Sequence, residues 1–177
     1  VRTTTNILNG TVLDFRHGRR ATKILDGVAR ALTPAVLVPV AMVGATLLRK
    51  REGAPTLALA TLAAAGVAHV LKPIARRRRP HFFLLGSSPK RSFPSGHATV
   101  STALLLGLAR VAPPRAWPLS FAAATAAALA VGALRLRLGK HWPTDLLGGQ
   151  AIALAAFAGA AAVERFALAG SGATPDR

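Results

Sequence analysis

Two short stretches of this chain carry residue types that can do chemistry: Pro-Ser-Gly-His at positions 94–97 and His-Trp-Pro-Thr-Asp at positions 141–145. Each stands at the threshold of an apolar run, where an ionisable group is costly unless it is used. Ser95 is a natural N-cap, which places Gly96 and His97 in the first turn of the helix that follows. A helix N-terminus offers unpaired N–H groups and a partial positive charge, and Gly96 has no side chain to obstruct an approaching oxyanion. Pro143 is suited to begin a helix, with His141 just outside it and Asp145 in its first turn. Asp145 can then reach back to one imidazole nitrogen and leave the other free to attack phosphorus.

The flanking residues fit that chemistry. Lys72, Arg76 to Arg79, Lys90, Arg91, Arg135, Arg137 and Lys140 accompany the two histidines, with Asp145 the sole acid among them. Such a crowd of cations repels itself unless an anion is bound there. Residue types alone therefore describe a phosphoryl transfer. His141 attacks and becomes a phosphohistidine, with Asp145 orienting it. Lys72, Arg79 and Arg135 hold the equatorial oxygens, where charge spreads in the transition state. His97 protonates the leaving oxygen and then activates water. The scheme needs no metal and no cofactor, and the site has almost no acidic ligands to offer one.

The elements that must position these groups are membrane segments. The chain has 177 residues, 51% of them hydrophobic, yet it carries 23 Lys and Arg against 6 Asp and Glu. Apolar runs of membrane length joined by basic loops combine those properties. A formal net charge of +17 also suits nucleic acid, but aromatic residues are only 5% and form no stacking platform among the arginines. Nucleic acid is therefore not an expected partner. The absence of cysteine excludes disulfides and thiolate metal sites.

Residues 1–30 read as an amphipathic helix in the membrane interface, with Ile24, Leu25, Val28 and Leu32 on one face and Lys23, Asp26 and Arg30 on the other. Five apolar segments follow, at 31–48, 55–74, 95–112, 116–134 and 143–163. All approach the ~20 residues that a span needs, the third only marginally. Their Ala- and Gly-rich composition predicts a compact all-α bundle of about five transmembrane helices. The expected organisation is an interfacial segment at 1–30, a membrane domain at 31–168 and a disordered tail at 169–177.

Five crossings put Lys72 to Pro94, Arg135 to Trp142 and the N-terminal helix on one membrane face. The opposite face then holds Arg49, Lys50, Arg51, Arg110, Arg115, Arg165 and Arg177, leaving 16 of the 23 basic residues on the first. The positive-inside rule places the site in the cytoplasm.

Three signatures now resemble those of the type 2 phosphatidic acid phosphatase family, within a superfamily of lipid phosphatases, bacterial acid phosphatases and vanadium haloperoxidases. They are KPIARRRRP (Lys72 to Pro80), PSGH (Pro94 to His97) and RLRLGKHWPTD (Arg135 to Asp145). Six residues separate Lys72 from Arg79, which precedes Pro80, so Arg79 matches the family's phosphate arginine rather than Arg76 to Arg78. Five residues separate Arg135 from His141, so Arg135 matches rather than Arg137. The resemblance implies His141 as nucleophile, His97 as general acid, Asp145 as its partner, and Lys72, Arg79, Ser95, Gly96 and Arg135 at the phosphate. It departs at Leu134, where the family usually has serine.

It also implies a bacterial inner membrane and a lipid phosphate substrate. Candidates are a polyprenyl phosphate or diphosphate, a polyprenyl phospho-sugar phosphate, phosphatidic acid and phosphatidylglycerol phosphate. The competing readings are a haloperoxidase-like enzyme using vanadate in the same pocket and a non-enzymatic membrane protein. Outside the signatures the expectations are plainer. Arg76 to Arg78 read as a basic membrane flank, Trp142 as an interface anchor, His69 as a hydrogen-bonded packing residue and Gly107 as a packing position. His17 and His81 read as interfacial or solvated.

Overall fold

The computed structural model describes residues 27–28, 30–80 and 91–170. Among these residues the chain forms five α-helices: α1 (Pro34–Leu47), α2 (Ala54–Ala75), α3 (Gly96–Val111), α4 (Trp117–Arg137) and α5 (Pro143–Gly170), with a short 3₁₀ turn at Pro114–Ala116. The helices match the five apolar runs. Most of the expected N-terminal amphipathic helix, the histidines at 17 and 81 and most of the expected tail lie outside the described residues.

Prolines and glycines set the boundaries. α1 and α5 open on proline, and α2 has Pro55 as its second residue, positions where a missing N–H leaves no bond unmade. Ser95 caps α3 as expected; its carbonyl receives the Thr99 N–H at 2.9 Å.

α3 is the axis of the bundle and packs against each of the other four helices. Its residues enter every core cluster: Val100 and Leu104 against Leu37, Ala41 and Leu57; Ala103 against Ala64 and Ala153; Leu106 and Ala109 against Ala124. Phe121 and Phe157 close the last cluster edge to face, their centroids 5.8 Å apart. Small side chains make such enclosure possible, because lipid gives helices no hydrophobic reason to associate and close packing must serve instead. Thr99 and Ser101 turn their hydroxyls back onto the carbonyls of Ser95 and His97, at 2.9 and 2.6 Å. They are thereby buried without an unmet hydrogen bond.

Among the described residues, three helical stretches are long and apolar enough to cross a membrane: Ala54–Ala75, Pro114–Arg137 and Pro143–Gly170. α1 and α3, with 14 and 16 residues, are shorter. For α3 the reason is enclosure: a helix surrounded by protein need not match the hydrocarbon thickness. Large apolar side chains cover the outside, including Leu47, Ile74, Leu119, Leu147 and Phe166. So broad an apolar surface is suited to lipid and not to water. The protein is an integral membrane protein with a helical bundle fold.

α5 runs seven residues past the end of its expected segment, because an apolar run records the thickness of the hydrocarbon and a helix continues beyond it. Glu164 lies in that extension. It is buried and reaches across to α2, accepting the Gly53 N–H at 2.6 Å and the Thr56 hydroxyl. No acidic residue occupies the first turn of α2, so Glu164 supplies the anion that this N-terminus favours. Nearby Arg110 lies 3.8 Å from Glu52 and stacks on Trp117. These contacts place both loops at the end opposite the histidines, as the crossing count predicts.

The α2–α3 crossing is the tightest test of the small-residue principle. A Cβ on Gly107 would stand 2.7 Å from the Leu57 Cα, whereas one on Gly66 would meet nothing within 4 Å. Gly107→Ala should destabilise the bundle by about 1–3 kcal/mol, the usual range for overpacking. Gly66→Ala should be neutral or stabilise by up to about 1 kcal/mol. Denaturant unfolding in detergent measures both, and equal effects would contradict the packing account.

Candidate active site

Four helix ends meet at the other pole: the C-termini of α2 and α4 and the N-termini of α3 and α5. Lys72 occupies the last turn of α2, and its ammonium lies above the start of α3. A Cβ on Gly96 would come within 2.9 Å of Lys72 Nζ and 3.4 Å of the Pro34 ring. Glycine at the first position of α3 thus admits the ammonium over a helix N-terminus, the arrangement an anion would exploit. His97 follows in the same turn and is half-buried.

α2 ends on a left-handed residue, Arg76, with φ of 42°. The chain beyond it is pinned to the approach to α3 and to the α4–α5 loop by hydrogen bonds of its own backbone. Arg77's carbonyl accepts the Ser92 N–H at 3.0 Å, and Arg78's carbonyl accepts the Trp142 indole N–H at 3.0 Å. These bonds aim Arg79 inward. Its Nη1 donates to the Lys140 carbonyl at 3.0 Å, while its Nε is buried with no hydrogen-bond partner. A buried, orphaned guanidinium N–H beside a helix N-terminus fits an acceptor oxygen brought in from outside. Arg135, in the last turn of α4, is buried as well. Arg79, Arg135 and Arg91 are all near enough to Lys72 to repel it.

His141 and Asp145 lie at the centre, with side chains 2% and 0% exposed. Asp145, the third residue of α5, reaches back to accept the Trp142 N–H at 2.9 Å, the acidic half of a capping box. The same carboxylate accepts from the Ser92 hydroxyl and from Arg77 Nη1, the latter at 3.0 Å. The expected pairing with the imidazole takes a particular form. His141 Nδ1 is 3.6 Å from Asp145 Oδ2 but 3.0 Å from the Ser92 carbonyl oxygen. The carboxylate is therefore at ion-pair distance, and the carbonyl is at hydrogen-bond distance.

Electrostatics favour a neutral imidazole. Burial pushes His141 below its ordinary value; the Asp145 carboxylate pulls the other way, and the Arg79 and Arg135 charges reinforce the fall. Burial also lowers Arg79, opposed by Asp145, but a guanidinium stays charged at any ordinary pH. The result is a neutral imidazole beside fixed cations.

Three expectations change. Arg77 is more than a membrane flank: it bridges Asp145 and the Thr144 hydroxyl, the latter at 2.6 Å. Trp142 is more than an interface anchor, since its indole is tied to Arg78 and lies under the Arg77 guanidinium, 5.9 Å from the ring centroid. Both were hidden because their partners are far away in sequence. His69 is exposed rather than packed. The buried stripe of α2 passes through Ala64 and Ala68, and the next residue points about 100° away. Ser92, fully buried beside His141, had no signal beyond its closeness to Pro-Ser-Gly-His. Leu134 is half-buried in the last turn of α4, and its carbonyl receives the Leu138 N–H. Among the described residues, no three His, Asp or Glu side chains gather as a metal-ligand cluster.

The pKa direction gives a test. By ¹⁵N-histidine NMR in detergent, His141 should titrate below the ordinary imidazole value of about 6.5. It should therefore remain neutral to lower pH than a free histidine. Arg79→Gln removes a charge that lowers it and should move its titration upward. A His141 midpoint above the ordinary value would contradict the burial argument.

The sequence and fold were compared with known proteins. No match was found among curated proteins. The fold is similar to the crystal structure of the first transmembrane PAP2 type phosphatidylglycerolphosphate phosphatase from Bacillus subtilis, with a TM-score of 0.64. That likeness covers 92% of this chain and 82% of the other at 23% identity, and it speaks for the fold. Residues 54–167 match the PAP2 superfamily, a span that includes every candidate site residue from Lys72 to Asp145. The chain belongs to the PAP2 superfamily.

Proposed function

We propose that this protein is a membrane lipid phosphatase that works through a phosphohistidine without a metal ion. The observation that carries this reading is the convergence of Lys72 and Arg79 on a helix N-terminus beside a buried His141. In the first step His141 Nε2 forms a bond to phosphorus as the bond from phosphorus to the lipid oxygen breaks. His97 donates a proton to that oxygen, so the lipid leaves as an alcohol, or as a phosphate when the substrate is a diphosphate. In the second step water attacks phosphorus, His97 takes its proton, and the phosphorus–nitrogen bond breaks to release phosphate. Lys72, Arg79, Arg135 and the N–H groups of the first turn of α3 neutralise the charge that develops on the equatorial oxygens.

A site at the end of a bundle coated with apolar side chains suits a phosphate carried on a lipid. Phosphatidylglycerol phosphate comes first in the panel, because the Bacillus subtilis protein of similar fold is a phosphatidylglycerolphosphate phosphatase. Phosphatidic acid, polyprenyl phosphates and diphosphates and polyprenyl phospho-sugar phosphates complete it. Purified protein in detergent should release phosphate from at least one of these lipids in EDTA, with inhibition by vanadate. His141→Ala should abolish turnover, and His97→Ala should lower it roughly 100- to 10,000-fold. Strict metal dependence, or a preference for a soluble sugar phosphate over every lipid, would sink the proposal. Oxidation of halide dependent on vanadate would favour the haloperoxidase reading.

The site faces the cytoplasm of a bacterial inner membrane in this proposal. The support is the excess of Lys and Arg at the site end, which remains when Lys72, Arg79 and Arg135 are set aside as phosphate ligands. The chain has no cysteine, so single cysteines report cleanly. Lys50 is exposed and suits the opposite end, whereas Gly53 does not: its φ is +85° and a Cβ there would stand 2.7 Å from the Arg110 carbonyl. In intact cells an impermeant thiol reagent should label Lys50→Cys and spare Ser88→Cys. The reverse pattern would place the site outside.

A further inference from the structure

We propose that Ser92 is the positioning residue for the nucleophile: its main-chain carbonyl holds the proton on His141 Nδ1, and its hydroxyl and N–H hold that carbonyl in place. The proposal rests on His141 being the attacking residue. Nδ1 faces two oxygens, the Ser92 carbonyl at 3.0 Å and Asp145 Oδ2 at 3.6 Å. Both are acceptors, so a bare Nδ1 lone pair would be repelled by each, and the nitrogen must carry hydrogen. At these distances the hydrogen bond belongs to the carbonyl. Nε2 is then unprotonated and available to attack, the tautomer that nucleophilic catalysis requires.

Asp145 is already committed elsewhere. Its carboxylate accepts from the Trp142 N–H, the Ser92 hydroxyl and Arg77 Nη1. It acts on the imidazole by charge, and through the serine by position. Ser92 is fully buried, and all three of its polar groups are engaged: N–H to the Arg77 carbonyl, hydroxyl to Asp145, carbonyl to His141. Arg77 contributes from both of its ends, its carbonyl holding the Ser92 N–H and its guanidinium holding the carboxylate that receives the Ser92 hydroxyl. The line of positioning thus runs from the loop after α2, through Ser92, to the imidazole.

The test reads the tautomer and the kinetics separately. ¹⁵N-histidine NMR of the wild-type protein at about pH 8, where imidazole is neutral, should show His141 with hydrogen on Nδ1. Its resonances are assigned by their loss in His141→Asn. Ser92→Ala keeps the carbonyl but frees it from Asp145. It should shift His141 toward a mixture of tautomers and lower kcat roughly tenfold, the rate equivalent of one net hydrogen bond, with KM within about twofold. Ser92→Thr retains the hydroxyl and should restore the wild-type tautomer. Hydrogen on Nε2 in the wild-type protein would overturn the proposal even if Ser92→Ala failed to fold. So would a folded Ser92→Ala whose tautomer is unchanged, whatever its kcat, since the serine would then be structural only. If no lipid is hydrolysed by the wild-type protein, the phosphatase reading fails while the tautomer measurement still decides this one.

Discussion

A carboxylate with no exposed surface, Asp145, holds this site together. A buried charge is tolerated only when its oxygens are fully engaged, and here the donors come from three separate segments. Trp142 donates from the backbone just before α5, Ser92 from the approach to α3, and Arg77 from the loop after α2. The backbone carbonyl of Asp145 also receives the Ser95 N–H at 3.1 Å. The need to satisfy one anion therefore fixes the N-termini of α3 and α5 and the exit of α2 relative to each other. Lys72, Arg79, Arg135 and His141, the proposed phosphate ligands and nucleophile, are borne on those elements or on the end of α4, which runs into His141.

The same helix repeats the device at its other end. Glu164 is also buried and is also engaged by donors from a distant segment, the Gly53 N–H and the Thr56 hydroxyl at the start of α2. α5 thus fastens the bundle at both poles with a carboxylate set on backbone and hydroxyl donors. The two poles differ in what surrounds the carboxylate. Glu164 completes a helix cap and Arg110 is nearby with its own partners in Glu52 and Trp117. At the Asp145 pole the cations outnumber the carboxylate and crowd one another, and Arg79 keeps a buried N–H without a partner. Arg110 Nη1 is also buried without a hydrogen-bond partner, but it has Glu52 at ion-pair distance, whereas Lys72, Arg79 and Arg135 crowd one another in a way that suits an added anion.

Close packing makes this possible. A Cβ on Gly148 would stand 2.3 Å from the Phe93 ring, and one on Gly149 would stand 2.7 Å from Thr99 Oγ1. α5 can therefore lie directly against the start of α3, bringing Asp145 to Ser92 and Ser95. Gly96 serves the same purpose toward Lys72. In a membrane the helices gain little from leaving the lipid, so contacts at this distance must supply both stability and the precision a transferred phosphoryl group demands.

The amino-acid sequence by itself determined the five apolar runs, the helix starts at Ser95 and Pro143, and the residues that gather at one pole. These are local properties: hydrophobic length, proline and serine at fixed offsets, and a histidine four residues before an aspartate. It also carried the three signatures that match the superfamily. Only the tertiary structure decided what each site residue touches. Ser92 lies 49 residues from His141 and 53 from Asp145, and Arg77 lies 68 from Asp145. No periodicity or spacing encodes such pairs, because they form when the backbone of one loop meets the helix of another. That is why Arg77 and Trp142 read as a membrane flank and an interface anchor in the sequence and as supports of the His141–Asp145 pair in the fold. It is also why the i,i+4 spacing of His141 and Asp145, though correct about proximity, could not show that a main-chain carbonyl stands nearer to the imidazole than the carboxylate does.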